Sequence, residues 1–167
     1  MLRCVLIFIA GLTTLPTVAG SVAIDPLFMR MQGNWLASGQ RTQLISGRKT
    51  GIMAHAQTRI DGDRLYSHSE ITETPEDART TPHTYVRDYW IRAAAGDRYE
   101  LGVGAKVTSV GNFTGDTLSV EQRLGGTPAY VIRSSTRFDE SGSSYDEVFW
   151  SGARALAKTS IRYERVP

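Results

Sequence analysis

Two histidines and a carboxylate flank the turn signal Asp61-Gly62 at spacings that a hairpin would bring together. With those two residues as the loop, Ile60 pairs with Asp63, Gln57 with Tyr66, His55 with His68 and Met53 with Glu70. That register places His55, Gln57, Tyr66, His68 and Glu70 on one surface. It leaves Ile52, Ala54, Ala56, Thr58, Leu65, Ser67, Ser69 and Ile71 on the other. Two imidazoles beside a carboxylate are suited to hold a metal or to act as acid and base. The alternative is that the small and apolar face is the core and the His/Tyr/Glu face meets solvent. A three-residue loop would shift the partners by one.

A second group has period two. Tyr85, Arg87, Tyr89 and Ile91 alternate with Val86, Asp88, Trp90 and Arg92. Aromatic rings and a guanidinium on one face could line a pocket for an acidic or aromatic molecule. They could equally form an outward face, in which case an exposed aromatic patch around Tyr85, Tyr89 and Trp90 would mark a protein partner. Further along, Tyr130, Ile132, Ser134, Thr136 and Phe138 share one side against Val131, Arg133, Ser135 and Arg137. The first set is predicted to face inward, with its small hydroxyl residues leaving space, and Phe149 joins the wall from the next strand, as do Ile161 and Tyr163 from the last.

Several chemistries lack their residues. There is no Gly-x-Ser-x-Gly elbow, phosphate loop, His-Glu-x-x-His pair or dinucleotide fingerprint, and the chain has one cysteine. No cofactor is expected. With 19 Lys+Arg against 17 Asp+Glu, and no block of like charges, a nucleic-acid partner is not expected either. Asn112-Phe113-Thr114 is a formal glycosylation triplet that we read as accidental.

The elements that position these groups follow from the punctuation. Residues 1–23 show a positive start at Arg3, an apolar run from Val5 to Leu12, and small residues at two possible cleavage points, after Ala19 or after Ala23. This is the pattern of a cleaved export signal, and the apolar run is too short for a span of about 20 residues. Cleavage removes Cys4, leaving a disulfide-free, nearly neutral domain, residues 24–167. A bacterial periplasmic or secreted location is expected, with no membrane span in the mature form.

Asp25-Pro26 opens a short predicted helix. Thereafter strands are predicted at about 34–44, 50–60, 64–73, 83–93, 98–103, 106–113, 117–124, 130–139, 145–151 and 156–166, rich in Thr, Val, Ile, Tyr and Ser. Residues Thr74 to Pro82 are predicted to form a loop. Consecutive hairpins that must hide their edges predict an all-β, closed or nearly closed, up-and-down antiparallel barrel of eight to ten strands.

A short helix followed by Gly33-Asn34-Trp35, then Asp61-Gly62-x-Arg64-Leu65 between strands two and three, then a last strand with Tyr163-x-Arg165, resembles the lipocalin-like, or calycin, barrels and bacterial families of undefined role within them. The resemblance implies that Trp35 plugs the closed end and that Arg162 or Arg165 packs over it. It implies an interior that holds a small apolar or amphipathic ligand. The fatty-acid-binding branch holds a carboxylate with Arg-x-Tyr near the C-terminus, whereas here the order is Tyr163-x-Arg165. Haem-binding relatives use a late histidine, and none follows His83. A small enzyme using His55, His68 and Glu70, and a side-chain-filled barrel that binds a protein, are the competing expectations.

Overall fold

A computed structural model describes residues 25–167, apart from Ala78 and Pro128. The export signal and both cleavage points expected after Ala19 and Ala23 lie outside the described residues. Helix α1, Pro26–Met31, begins as expected: the Asp25 carboxylate accepts hydrogen bonds from the Leu27 and Phe28 N–H groups at 2.9 and 3.4 Å, and proline occupies the first turn, where no donor is needed.

Ten strands follow: β1 Gly33–Gln43, β2 Lys49–Asp61, β3 Arg64–Pro75, β4 His83–Ala93, β5 Arg98–Val103, β6 Lys106–Thr114, β7 Thr117–Leu124, β8 Tyr130–Phe138, β9 Gly142–Ser151 and β10 Arg154–Val166. Each pairs antiparallel with its sequence neighbour. Pairing of β1 with β10 closes the barrel, so the expected architecture holds. The last strand begins at Arg154, two residues before the expected start, with a bulge between Ala155 and Ala157.

Helix α1 seals one end. Leu27 and Phe28 are buried against Leu65, Ile91, Tyr99, Leu118 and Phe138. Aromatic rings run across this end edge to face, Tyr99 on Phe113 at 6.3 Å and Phe113 on Phe138 at 6.2 Å. The Tyr99 hydroxyl donates to both oxygens of Asp25, at 2.9 and 3.0 Å, so the helix cap is also a tie to the wall. Burial, and then the Asp25 carboxylate, raise the Tyr99 pKa above that of a free phenol. Trp35 lies at this end, almost fully buried. Its indole N–H donates to the Met31 carbonyl at 2.9 Å, and the Arg165 guanidinium sits 4.8 Å from the ring centre. Arg165 therefore takes the packing role that the resemblance allowed to either arginine. Arg162 points to the outer side, bound to Asp139 at 2.5 and 2.9 Å.

The hairpin of β2 and β3 corrects the expected register. The loop is Gly62-Asp63, with Gly62 at φ +61°, and Asp61 pairs with Arg64. Glycine supplies that left-handed backbone at no steric cost. Partners consequently move by two positions from those expected: His55 lies opposite Glu70, Gln57 opposite His68, and Met53 opposite Thr72. A shift of two preserves the faces, so the residues grouped on each surface are those the alternation grouped.

Candidate functional site

The two faces of β2 and β3 have opposite fates. Ile52, Ala56, Thr58, Leu65, Ser67 and Ser69 are buried, whereas His55, His68 and Glu70 are exposed on the outer wall. His68 Nδ1 meets an Asp88 carboxylate oxygen at 2.7 Å, in full contact with solvent. No group of three or more His, Cys, Asp or Glu side chains is placed to hold a metal among the described residues. An acid–base site built on these histidines required them to point inward, and they point outward.

The inner face encloses a cavity of about 260 Å³. The barrel is thus not filled by its side chains. Small residues on β2 and β3, among them Ala54, Ala56, Ser67 and Ser69, leave the space, while Ile52, Ile71, Leu101, Val120, Ile132 and Ile161 supply apolar wall. Of the residues expected to bind a ligand, Tyr85, Arg87, Tyr89, Ile132 and Ser134 all line this cavity. Tyr130 and Phe149 share the inward face but stand nearer the rim, their rings stacked at 5.5 Å. Trp90, on the opposite face of β4, is buried beneath Arg64, whose guanidinium lies 4.3 Å from the ring centre. Gly102 makes room for that ring: a Cβ there would fall 2.2 Å from it. The exposed aromatic patch considered for a protein partner is therefore not formed.

The polar groups inside form one connected chain, in which the Arg41 Nε–H donates to the Thr159 hydroxyl at 3.4 Å. Towards the open end, Arg41 forms an ion pair with Glu73 at 3.0 Å, and the Tyr85 hydroxyl donates to the same carboxylate at 3.0 Å. Across the β1–β10–β9 ladder from Arg41, Glu147 accepts a hydrogen bond from Tyr145 at 2.6 Å and a longer one from Thr159 at 3.4 Å. Burial, followed by the Glu147 charge, pushes the Tyr145 pKa well above that of a free phenol, with Arg87 pulling the other way. Burial does the same at Tyr163, which also feels Tyr89, Arg87, Glu147 and Tyr85 across the cavity. These hydroxyls stay protonated at neutral pH and act as donors, that of Tyr145 to Glu147.

Arg87 differs from the other inward cation. Arg41 is neutralised by Glu73, whereas no carboxylate lies within ion-pair distance of Arg87 among the described residues. Its side chain is solvent-accessible within a ring of tyrosines. An unpaired guanidinium over an apolar floor is a receptor for a carboxylate or another oxyanion.

Arg41, Glu73, Tyr145, Glu147 and Thr159 were not among the expected site residues. Their signal was available: Arg41 follows Trp35 by an even count along β1, and Tyr145 and Glu147 share the parity of Phe149 on β9.

No protein-family model matches the chain, and no curated protein sequence matches it. Solved structures do. An S-type phycobiliprotein lyase, CPES, from Guillardia theta superposes with a TM-score of 0.63 at 7% identity, covering 84% of this chain and 91% of that one. Rv2717c from M. tuberculosis superposes with a TM-score of 0.52 at 15% identity, covering 86% and 99%. At these identities the likeness is one of fold, that of a closed ten-stranded antiparallel barrel.

Proposed function

We propose that this chain is an exported binding protein, periplasmic or secreted from a bacterium, that holds one small amphipathic anion inside its barrel. The observation that carries the reading is Arg87, a cation that faces a hollow interior and forms no ion pair among the described residues. The apolar wall takes the hydrophobic body of the ligand by removing its surface from water. The acidic group of the ligand meets Arg87, with the Tyr89 and Tyr163 hydroxyls as further donors. Tyr85 and Tyr145 are already committed to Glu73 and Glu147. They hold those carboxylates in place on β3 and β9, outside ion-pair distance of Arg87.

Export is supported by the order of charged, apolar and small residues in positions 1–23. The shared barrel with a phycobiliprotein lyase adds a precedent of scaffold, not of ligand. The acid–base enzyme has no comparable support, because its histidines are on the outer wall.

Native mass spectrometry of the protein purified from a bacterial host expressing the full chain tests both parts. The expected spectrum shows a mature protein beginning at Gly20 or Ile24, and a bound species of a few hundred daltons that a wild-type preparation retains and an Arg87→Met preparation loses. An intact N-terminus contradicts the export reading. A bound species equally retained by the variant contradicts the role of Arg87.

A further inference from the structure

Charge is separated along the barrel. Each connection is taken together with the strand residue on either side of it. The four at the closed end, β2–β3, β4–β5, β6–β7 and β8–β9, then carry Asp61, Asp63, Asp97, Asp116, Asp139 and Glu140 against Arg64 and Arg98. Helix α1 with its cap adds one charge of each sign, Asp25 and Arg30. The five connections at the open end carry Arg48, Lys49, Arg79, Lys106 and Arg154 against Glu76 and Asp77. All five of these cations are exposed, and none is in an ion pair among the described residues. Aspartate suits tight turns through its own hydrogen bonding, which accounts for part of the closed end. No turn chemistry calls for cations around the mouth.

The connection from β1 to β2, residues 44–48, joins these cations to apolar surface. Leu44 and Ile45 stand next to each other there, 49% and 61% exposed. Their loop is held in shape: the Gln43 N–H donates to the Arg48 carbonyl at 2.9 Å, and the Gly47 N–H to the Gln43 carbonyl at 2.8 Å. It is also tied to both neighbours. The Leu44 N–H donates to the Leu156 carbonyl at 2.8 Å, at the start of β10 beside Arg154. The Glu76 N–H donates to the Lys49 carbonyl at 3.0 Å, at the start of the connection that carries Arg79. Leu44, Ile45, Arg48, Lys49, Arg79 and Arg154 therefore lie on adjoining connections around one side of the mouth.

We propose that this rim docks the mouth of the barrel onto an anionic phospholipid surface. The aliphatic tip enters the boundary between headgroups and acyl chains, and the cations around it meet phosphate. Such a surface offers hydrocarbon directly beneath phosphate, which is the pairing that the rim presents. The acidic closed end is repelled, so the separation of charge selects one orientation, mouth towards the bilayer. An amphipathic anion in a bilayer keeps its acidic head at the surface, and so meets the mouth head first, towards Arg87. That last step rests on the binding function proposed above, whereas docking rests on the rim alone.

Docking is tested without ligand, on protein purified from a bacterial host expressing the full chain. It is sedimented with unilamellar vesicles of phosphatidylcholine, alone or mixed with phosphatidylglycerol. Binding to the mixed vesicles is expected, weakening as salt rises, and binding to phosphatidylcholine alone should be at least ten-fold weaker. Each basic residue at an anionic surface contributes a factor of about five. Arg48→Gln with Lys49→Gln, and separately Arg79→Gln with Arg154→Gln, should thus each weaken binding at least ten-fold while leaving the far-UV spectrum unchanged. The chain has one cysteine, Cys4, so in a Cys4→Ser background an environment-sensitive fluorophore can be placed at one position. On Ile45→Cys its emission should shift to the blue with mixed vesicles, and on Glu140→Cys, at the closed end, it should not. Absence of binding to mixed vesicles, equal binding to both compositions, or full binding by either double variant would overturn the proposal. A blue shift at position 140 without one at position 45 would overturn it too, assigning the binding to the apolar run Val5 to Leu12 ahead of α1. So would binding to polyglutamate in place of vesicles, which would assign the rim to an acidic protein.

Discussion

The two ends of this barrel are built from the same strands to different rules. At the closed end, Leu27 and Phe28 of α1 meet Leu65, Ile91, Tyr99, Leu118 and Phe138 in continuous apolar contact. Its polar groups are spent on fixing the helix, as Asp25 and Tyr99 show. In the open half, inward positions are taken by arginines, carboxylates, tyrosines and hydroxyl residues around empty space. Ion pairs and hydrogen bonds inside a cavity contribute little net stability compared with packed apolar surface. Stability is concentrated at one end, which frees the other to carry Arg87, a cation outside any ion pair among the described residues.

That division can be broken by substitution. Phe28→Ala at the closed end removes a buried ring between α1 and Tyr99, and should lower the unfolding free energy by about 3–5 kcal/mol, measured by urea denaturation. If α1 were only an appendage, the loss would be near zero. In the open half, Tyr145→Phe deletes the donor at 2.6 Å from Glu147 and leaves the carboxylate under-bonded, at a cost of about 1–3 kcal/mol. The Tyr145 pKa is raised, so folding favours the neutral phenol. The stability this linkage contributes is fully present below the usual phenol pKa and is lost progressively as the pH rises from there through the raised folded value. Over pH 6 to 9 the difference between Tyr145→Phe and wild type should therefore not change on account of Tyr145. A difference that closes as pH rises within that range would mean the hydroxyl ionises early. On the outer wall, His55→Ala and His68→Ala should each change stability by less than about 0.5 kcal/mol and leave ligand binding untouched. A loss of binding in either would move the site to the outside of the barrel.

The alternation of β4 and β8 was legible because strands of a half-hollow barrel keep strict period two: Tyr85, Arg87, Tyr89, Ile132 and Ser134 all face the cavity. The faces of β2 and β3 were legible for the same reason. Their register was not, since Asp61-Gly62 and Gly62-Asp63 both read as tight turns and only the closed sheet selects the second. The choice between Arg162 and Arg165 over Trp35 was settled by β1–β10 pairing, which sets Trp35 opposite Arg165. The pairing of Arg41 with Glu73 links strands distant in sequence, and neither residue signals the other along the chain. The shortness of β5 against β4 depends on where the hairpin at Gly104 turns relative to a neighbour that is already placed.

The most direct test of the anion site uses one ligand in two charge states. Wild-type protein and Arg87→Met are titrated with 11-(dansylamino)undecanoic acid and with its methyl ester, following dansyl fluorescence. The predicted result is a wild type that binds the acid at least ten-fold more tightly than the ester, about 1.4 kcal/mol, and a variant in which the two affinities are equal while the ester binds as in wild type. Equal affinities for acid and ester in the wild type would contradict the assignment of Arg87 as the receptor for a ligand anion.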